Sequence, residues 1–234
     1  MTPDDIGERV ADLILERDAV VLGCPAGRTP VPIYEALARR VDVSRFRIVM
    51  MDEYVVDGQW APIDAPHSCR GFIARYFPME NVHTPDPADP LAYEDVIDSL
   101  GGVDLFILAL GSTDGHVAFN PPGSSADSRT RVIELSEETR RDNLGTFPSF
   151  GSLDEVPRHG VSVGLGTIVD KSRSAVLVAH GAHKADAVAH TLALDHFDAS
   201  WPASIIYNCA NPSIVVDAAA ANPELVLPRT VKRL

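Results

Sequence analysis

The segment at 111–125 contains the residues best suited to chemistry, and it directly follows the most apolar stretch of the chain, at 104–110. Asp114 stands two residues before His116, and the glycine between them allows a turn tight enough for the carboxylate to orient the imidazole. A histidine held by a carboxylate can transfer a proton near neutral pH. Because a structural loop seldom needs this combination after a buried strand, the segment predicts general acid–base catalysis.

A pair of adjacent carboxylates, Asp52 and Glu53, follows a second apolar stretch at 47–51. Two neighbouring carboxylates are costly to remove from water, so they need either a partner or a task. Proton transfer and capping of the following helix explain the pair equally well when these residues are considered alone.

Two further loops have the composition of anion-binding sites. In the loop at 23–30, Thr29 can cap the next helix and Pro30 suits its first position. The exposed amides of a helix start attract phosphate or carboxylate, and Arg28 adds a full positive charge. Lys184, at the start of a later helix, could hold a phosphate as a point charge. A turn without a ligand and a solvated lysine are the alternative interpretations of these loops.

Metal binding is not expected from the histidines and cysteines of the chain. His180 and His183 form an H-x-x-H pair, but no nearby carboxylate or cysteine completes a set of ligands. We therefore interpret the pair as part of an ordinary turn. The three cysteines are widely spaced and odd in number, which favours neither a disulfide framework nor a zinc cluster.

The elements that must position these side chains alternate between apolar strands and helical patterns, which is typical of an α/β fold. We predict a three-layer, mostly parallel sheet with helices on both faces, in a single domain over 1–234. The predicted helices cover 4–16, 31–40, 68–77, 91–100 and 184–194, and the predicted strands cover 19–23, 47–51, 104–110, 160–165, 175–179 and 213–216. All four candidate segments follow strands, and open parallel sheets bind ligands at the carboxyl ends of their strands.

The net charge of −13 argues against nonspecific binding to nucleic acid, because phosphate backbones are bound by clustered lysine and arginine. It also means that an anionic substrate must be captured by a local positive feature. No stretch approaches the roughly 20 apolar residues of a membrane-spanning helix, and the first residues are acidic, unlike a secretory signal. We expect a cytoplasmic protein without a membrane or nucleic-acid partner.

Several segments, taken together and in order, carry a resemblance to a known family. They are LGCPAGRTP at 22–30, MDEY at 51–54, GVDLF at 102–106, DGHVAFN at 114–120, SRTRV at 128–132, GVSVGLGTI at 160–168 and GAHK at 181–184. The ordered set resembles the glucosamine-6-phosphate deaminase/isomerase family and its relative, 6-phosphogluconolactonase. The segments AFN and SRTR resemble the deaminase branch more closely.

This resemblance implies a modified Rossmann-like fold without a dinucleotide or any other cofactor, acting on a small phosphorylated sugar. Asp52 matches the base that moves a proton between C2 and C1 of the opened sugar. His116 matches the residue that assists ring opening, and Asp114 matches the carboxylate that orients it. The loop of Gly27, Arg28 and Thr29 is similar to the family's phosphate site, as is Lys184.

The chain also departs from the family pattern at functional positions. The glutamate that assists the catalytic histidine is replaced by Pro121, and the arginine that grips the substrate phosphate is replaced by Gly145. A lysine of the allosteric site in hexameric members becomes Ile133, which favours a monomer or a simple homo-oligomer. Near the C-terminus, the expected glutamine and histidine become Tyr207 and Cys209. Arg28 occupies a usually small position, and our hypothesis is that it takes part of the missing arginine's role.

Three functions follow from the resemblance. The first is a deaminase-like isomerase that acts on an amino-sugar phosphate such as glucosamine-6-phosphate. The second is a lactonase, which needs His116 to activate water but does not need the missing glutamate. The third is a sugar-phosphate-binding protein without turnover. The presence of Asp52, Asp114 and His116 favours an enzyme.

Overall fold

Buried strands alternate with amphipathic helices in a computed structural model that describes residues 2–147 and 149–221. The helices are α1 (Pro3–Glu16), α2 (Val31–Arg40), α3 (Cys69–Ile73), α4 (Ala92–Ser99), α5 (Glu137–Thr146), α6 (Leu165–Lys171) and α7 (Ala185–Ala193). The strands are β1 (Val21–Cys24), β2 (Arg47–Met50), β3 (Asp52–Val56), β4 (Gln59–Trp60), β5 (Val82–His83), β6 (Leu105–Ala109), β7 (Arg131–Glu134), β8 (His159–Ser162), β9 (Ala175–Ala179) and β10 (Pro212–Val216). The predicted single domain includes 222–234, which lie outside the described residues.

The main sheet has six strands in the order β10-β9-β6-β1-β2-β5, and every neighbouring pair is parallel. All residues of β1 and β9 are buried, as expected for strands covered on both faces. One hydrophobic cluster includes residues of α1, α2 and α3, and a second includes residues of α4, α6 and α7. The predicted three-layer, mostly parallel α/β fold is therefore confirmed.

Helix α1 shows how local sequence sets an element of this fold. Thr2 accepts a hydrogen bond from the backbone N–H of Asp5, whose side chain in turn accepts one from the Thr2 N–H, and Pro3 fills the first helical position. Ile6 and Val10 lie one turn apart and are fully buried in the first cluster. The helix boundaries agree with the sequence prediction to within one residue.

A second, four-stranded antiparallel sheet in the order β4-β3-β8-β7 was not expected. The predicted strand at 160–165 is present but lies in this sheet and is shorter than expected, since β8 ends at Ser162 and Leu165 begins α6. Only Met51 separates β2 from β3. Its N–H donates to the Cys24 carbonyl in the main sheet, and its carbonyl accepts from Val163 N–H. The two sheets therefore meet at this residue.

The strand order reverses between β1 and β6, because β2 and β5 lie on one side of β1 while β9 and β10 lie beyond β6. Loops that leave the carboxyl ends of strands at such a point diverge and open a crevice. The predicted helix at 68–77 is shorter than expected and ends at Ile73. Within the described ranges, no helix combines the length and apolar character needed to cross a membrane.

Candidate active site

The loops after β1, β2, β6 and β9 open into one cavity of about 230 Å³. It brings together six of the seven predicted site residues, which come from four separate parts of the chain: Gly27, Arg28, Thr29, Asp52, His116 and Lys184. The seventh, Asp114, does not line the cavity but is hydrogen-bonded to His116. The carboxylate that follows β2 and the imidazole that follows β6 therefore face a common space beside the proposed anion loop.

The turn from Asp114 to His116 has the tight geometry that the sequence predicts. Asp114 Oδ1 lies 2.6 Å from His116 Nδ1 and accepts the His116 backbone N–H at 3.1 Å. Gly115 adopts a φ of +65°, and a Cβ at this position would lie 2.4 Å from the ring of Trp201. Glycine is therefore required here both by the backbone conformation and by the close approach of Trp201.

The surroundings of Asp114 fix the tautomer of His116. The other carboxylate oxygen, Oδ2, accepts a hydrogen bond from the Ser136 hydroxyl at 3.1 Å. Burial by itself would raise the pKa of Asp114, but the hydrogen bond and charge of His116, with Ser136, hold that pKa below its usual value. An ionised carboxylate only accepts, so Nδ1 carries the proton and Nε2 is free to act as a base. No hydrogen bond from the described residues reaches Nε2.

Asp52 is a buried carboxylate that opens β3 and is only 6% exposed. Burial, followed by the negative charge of the adjacent Glu53, raises its pKa to about 7, against smaller opposing effects of Cys69 and His116. A carboxyl group with this pKa can both take up and release a proton near neutral pH, which is the property required of a proton-transfer group.

The structure assigns the neighbouring Glu53 to the capping role. Its fully buried carboxylate accepts hydrogen bonds from the backbone N–H groups of Cys69 and Arg70 and from the Ser68 hydroxyl, at 2.8–3.0 Å. Cys69 and Arg70 are the first residues of α3, whose free amides need acceptors. The capping explanation therefore applies to Glu53, and of the two carboxylates only Asp52 lines the cavity.

The loop after β1 forms the cavity wall next to α5. Gly27 adopts a φ of +97°, and Arg28 is exposed at the rim. The expected capping by Thr29 is wrong: Pro30 occupies the cap position of α2 without a side-chain hydrogen bond, and Thr29 lines the cavity. The physical reason is that the Pro30 carbonyl accepts the first helical hydrogen bond, from the Tyr34 N–H, so α2 begins at Val31, one residue later than the sequence suggests, and Thr29 lies outside the cap position.

Lys184 lines the same cavity and is buried, with 8% of its surface exposed. Its Nζ donates a hydrogen bond to the Leu110 carbonyl at the end of β6. Burial lowers its pKa to about 8, and the positive charge of Arg28 acts in the same direction, while Asp142 and Asp114 oppose the change. The interpretation of Lys184 as a solvated surface residue is therefore wrong.

Sequence reasoning missed several cavity residues. His180 and His183, interpreted as part of an ordinary turn, both line the cavity because the loop after β9 ends at the same edge as the others. The position of the pair after a strand was the available signal. A second group, Asp142, Asn143 and Thr146, comes from α5. This helix follows a strand of the small antiparallel sheet, so no strand-end rule could place it here.

The departures from the family pattern occupy varied positions. Pro121 is partly buried and does not line the cavity. Gly145 is exposed on α5, and a Cβ there would meet no atom within 4 Å. Ile133 and Cys209 are buried, and the Tyr207 hydroxyl donates to the Thr191 carbonyl at 2.8 Å. These last three residues therefore have packing or hydrogen-bonding roles outside the cavity.

Comparison with known proteins extends this description. Residues 2–215 match the family model described as glucosamine-6-phosphate isomerases/6-phosphogluconolactonase. The chain belongs to this family. A glucosamine-6-phosphate deaminase of Pseudarthrobacter chlorophenolicus is 41% identical over 93% of this chain and 88% of its own length. The resemblance stated from the sequence is thus confirmed, and homologues in the family are enzymes of sugar-phosphate metabolism.

Solved structures within the family show the same fold. A monomeric glucosamine-6-phosphate deaminase superposes with a TM-score of 0.82 at 29% identity, covering 94% of this chain and 96% of that chain. A 6-phosphogluconolactonase from Trypanosoma brucei superposes with a TM-score of 0.71 at 22% identity, covering 96% and 97%. The second likeness concerns the fold alone.

Proposed function

We propose that the protein converts an amino-sugar phosphate, such as glucosamine-6-phosphate, to a ketose phosphate with release of ammonia. The observation that carries the proposal is the single cavity in which Asp52 and His116 face a loop and a lysine suited to a phosphate. The 41% identity to a named glucosamine-6-phosphate deaminase supports the choice of substrate class. The reaction needs positioned proton carriers and an anchor for the phosphate.

In this proposal the phosphate binds between Arg28, the amides at Gly27 and Thr29, and Lys184. The protein carries a net charge of −13, so these local cations and amides supply the attraction that the whole molecule does not. Anchoring the phosphate fixes the position of the reacting carbons, C1 and C2, relative to Asp52 and His116. Such positioning converts binding energy into correct orientation of the substrate.

Asp52 and His116 then divide the proton transfers. His116 Nε2, kept free by the bond between Nδ1 and Asp114, takes the C1 hydroxyl proton and delivers it to the ring oxygen, so the bond between C1 and the ring oxygen breaks and the aldehyde forms. Asp52 removes the proton from C2 of the opened amino aldose and returns it to C1, while the C1 oxygen takes a proton from the ammonium group of the substrate. The resulting C2 imine takes up one water and releases one ammonia, leaving the ketone. The pKa of about 7 allows Asp52 to serve in both directions.

A lactonase remains the second candidate because of one specific observation. The position of the family's assisting glutamate is Pro121, which can neither donate nor accept a proton and does not line the cavity. Hydrolysis of a sugar lactone would use His116 to activate water and would not need that glutamate. The same anion-binding loop would hold the phosphate of either substrate.

One set of assays separates these functions. Purified protein is incubated with glucosamine-6-phosphate, with ammonia and ketose phosphate measured in parallel, and with a phosphorylated sugar lactone, with acid release measured. Equal amounts of ammonia and ketose are the expected result. Acid release without ammonia would establish the lactonase instead. Tight binding of sugar phosphates without conversion at high protein concentration would indicate a sugar-phosphate-binding protein without turnover.

Arg28→Gln is expected to raise KM for the sugar phosphate about tenfold or more while kcat changes little, because a lost charge-assisted contact to the phosphate weakens ground-state and transition-state binding alike. Steady-state kinetics measure both constants. Arg17→Gln, an exposed arginine that follows α1, is the matched control and should leave KM unchanged. Introducing Gly145→Arg into the Arg28→Gln variant should restore part of the affinity, since space around Gly145 is open. An unchanged KM in Arg28→Gln would remove Arg28 from the phosphate site.

The protonation of Lys184 predicts an alkaline limit to activity. Its ammonium must be charged to hold a phosphate, and its pKa is about 8, so kcat/KM should fall as pH rises through about 8. Lys184→Arg keeps the charge at high pH and should move this alkaline limb of the pH profile to higher pH. Lys184→Met should have low kcat/KM throughout the pH range. If the limb stays at the same pH in Lys184→Arg, another group must cause it.

A further inference from the structure

Asp142 places a carboxylate at the cationic end of the cavity, where the proposed reaction gives it no task. It lines the same space as Arg28, Lys184 and His183. A negative group is an unexpected neighbour for a phosphate, because like charges at close range repel. Its position therefore needs an explanation of its own.

The contacts of Asp142 connect it to the segment that also holds Lys184. Asp142 Oδ2 accepts a hydrogen bond from the Ser112 backbone N–H at 3.3 Å. Two residues earlier, the Leu110 carbonyl accepts the hydrogen bond from Lys184 Nζ. The carboxylate and the ammonium are thus bound to one short stretch after β6. Ser112 also lines the cavity, so its amide lies where an anion could accept its hydrogen bond.

The charge of Asp142 acts on the cations around it. Burial lowers the pKa of Lys184 to about 8, and the pKa would be lower still without the opposing charge of Asp142. Burial also lowers the pKa of His183, and Asp142 opposes that effect as well. A carboxylate that favours the charged forms of both groups interacts with them as an anionic ligand would.

Helix α5 presents Asp142 and Gly145 three residues apart, on neighbouring positions of one face. At Gly145, where the family resemblance implies an arginine, this chain has no side chain, and a carboxylate stands one turn before it. The missing arginine and the carboxylate of Asp142 both reduce the positive potential of the cavity. They act together on a single property, the affinity for an anion.

We propose that Asp142 sets the phosphate affinity of the cavity. In the unliganded protein its carboxylate accepts the hydrogen bond of the Ser112 amide and balances part of the positive charge of Lys184. A substrate phosphate must displace this carboxylate or bind beside it against repulsion. Asp142 is then a specificity-determining residue, which weakens the binding of simple phosphate anions relative to ligands that also engage the Asp52 end. This inference rests on the proposed function of the cavity as a sugar-phosphate site.

The test compares the binding of inorganic phosphate to three variants by isothermal titration calorimetry at constant ionic strength. Asp142→Asn keeps the size of the side chain and an acceptor for Ser112 but removes the charge. We expect it to bind phosphate about 3- to 30-fold more tightly than the wild type, for a screened interaction across a partly exposed cavity. KM for glucosamine-6-phosphate should fall in the same variant.

Glu138→Gln is the matched control, because it removes an equal charge from the exposed first turn of the same helix. It should bind phosphate as the wild type does. Equal or weaker phosphate binding by Asp142→Asn would overturn the inference, as would an equal gain in Glu138→Gln. Lys184→Met tests the proposed phosphate site separately. If this variant binds phosphate as well as the wild type, the phosphate site itself is wrongly placed. Weakening by Lys184→Met with no gain in Asp142→Asn would defeat only the role of Asp142.

Discussion

Asp52→Asn is expected to lower kcat by roughly 10²- to 10⁴-fold, the usual effect of removing one general base. An amide of nearly the same shape cannot accept the C2 proton, so binding of the sugar phosphate should change much less than turnover. Steady-state kinetics with the ammonia assay measure both constants. Retention of a tenth or more of the wild-type kcat would show that Asp52 is not the base.

The pH dependence of the wild-type enzyme supplies an independent check. Asp52 must be ionised to act as a base, so kcat/KM should rise with pH through about 7, where its buried carboxyl group titrates. With the alkaline limb of Lys184 near 8, the profile should be narrow and bell-shaped. An acid limb near the ordinary carboxyl value of 3.8 would contradict the assignment to this residue.

The stability of Asp52→Asn should move in the direction opposite to its activity. The folded-state pKa of Asp52 is raised above its unfolded value, so its contribution to stability is present below about pH 4 and is lost as pH rises through about 7. At pH 8 the wild type therefore carries a buried charge that the variant lacks. We expect the free energy of unfolding of the variant to equal or exceed that of the wild type at pH 8, as measured by urea denaturation. Asp64→Asn, an exposed carboxylate after β4, is the control and should change neither property.

Asp114→Asn is expected to reduce kcat by about as much as His116→Ala, roughly 10²- to 10⁴-fold. Both carboxylate oxygens of Asp114 accept hydrogen bonds, Oδ1 from His116 and Oδ2 from Ser136. An asparagine has one oxygen and one NH₂ group, so it must give up one of these bonds or present a donor to Nδ1. A donor there moves the imidazole proton to Nε2 and removes the free base.

The chain offers a matched control for this pair. His196 Nδ1 lies 2.7 Å from Asp195 Oδ1, so the two residues form a similar contact, but both side chains are largely exposed and lie outside the cavity. His196→Ala and Asp195→Asn should leave kcat and KM unchanged. If Asp114→Asn retains nearly full activity, the orientation of the imidazole does not depend on the carboxylate. If His196→Ala is as damaging as His116→Ala, the location of the active site is wrong.

The departures from the family pattern fall outside the three residues that we propose for proton transfer. Pro121 removes an assisting carboxylate, and Gly145 removes a phosphate contact, while Asp52, Asp114 and His116 are present in one arrangement. Arg28 and Asp142 both line the proposed phosphate end of the cavity. The variants of these two residues test whether the protein has redistributed its phosphate affinity.

The layers of the fold, and the edge of the sheet at which the cavity opens, could be predicted from local sequence patterns. Short continuous apolar runs that alternate with helical patterns are typical of parallel strands covered on both faces, and the residues that follow such strands lie at the same edge of the sheet. The order Asp114, Gly115, His116 likewise determined its own geometry, because residues two apart in a tight turn are always neighbours. These features depend on short separations along the chain.

The features that depend on residues distant in sequence could be established from the three-dimensional structure alone. Glu53 became the cap of α3, and Asp52 the carboxylate that faces the cavity, because Met51 leads the chain from one sheet into the other. The antiparallel sheet that carries α5 brings Asp142 to the cavity from a segment that no strand-end rule could place. Burial then set the pKa values of Asp52 and Lys184, and burial is the sum of contacts from many elements, which no local pattern records.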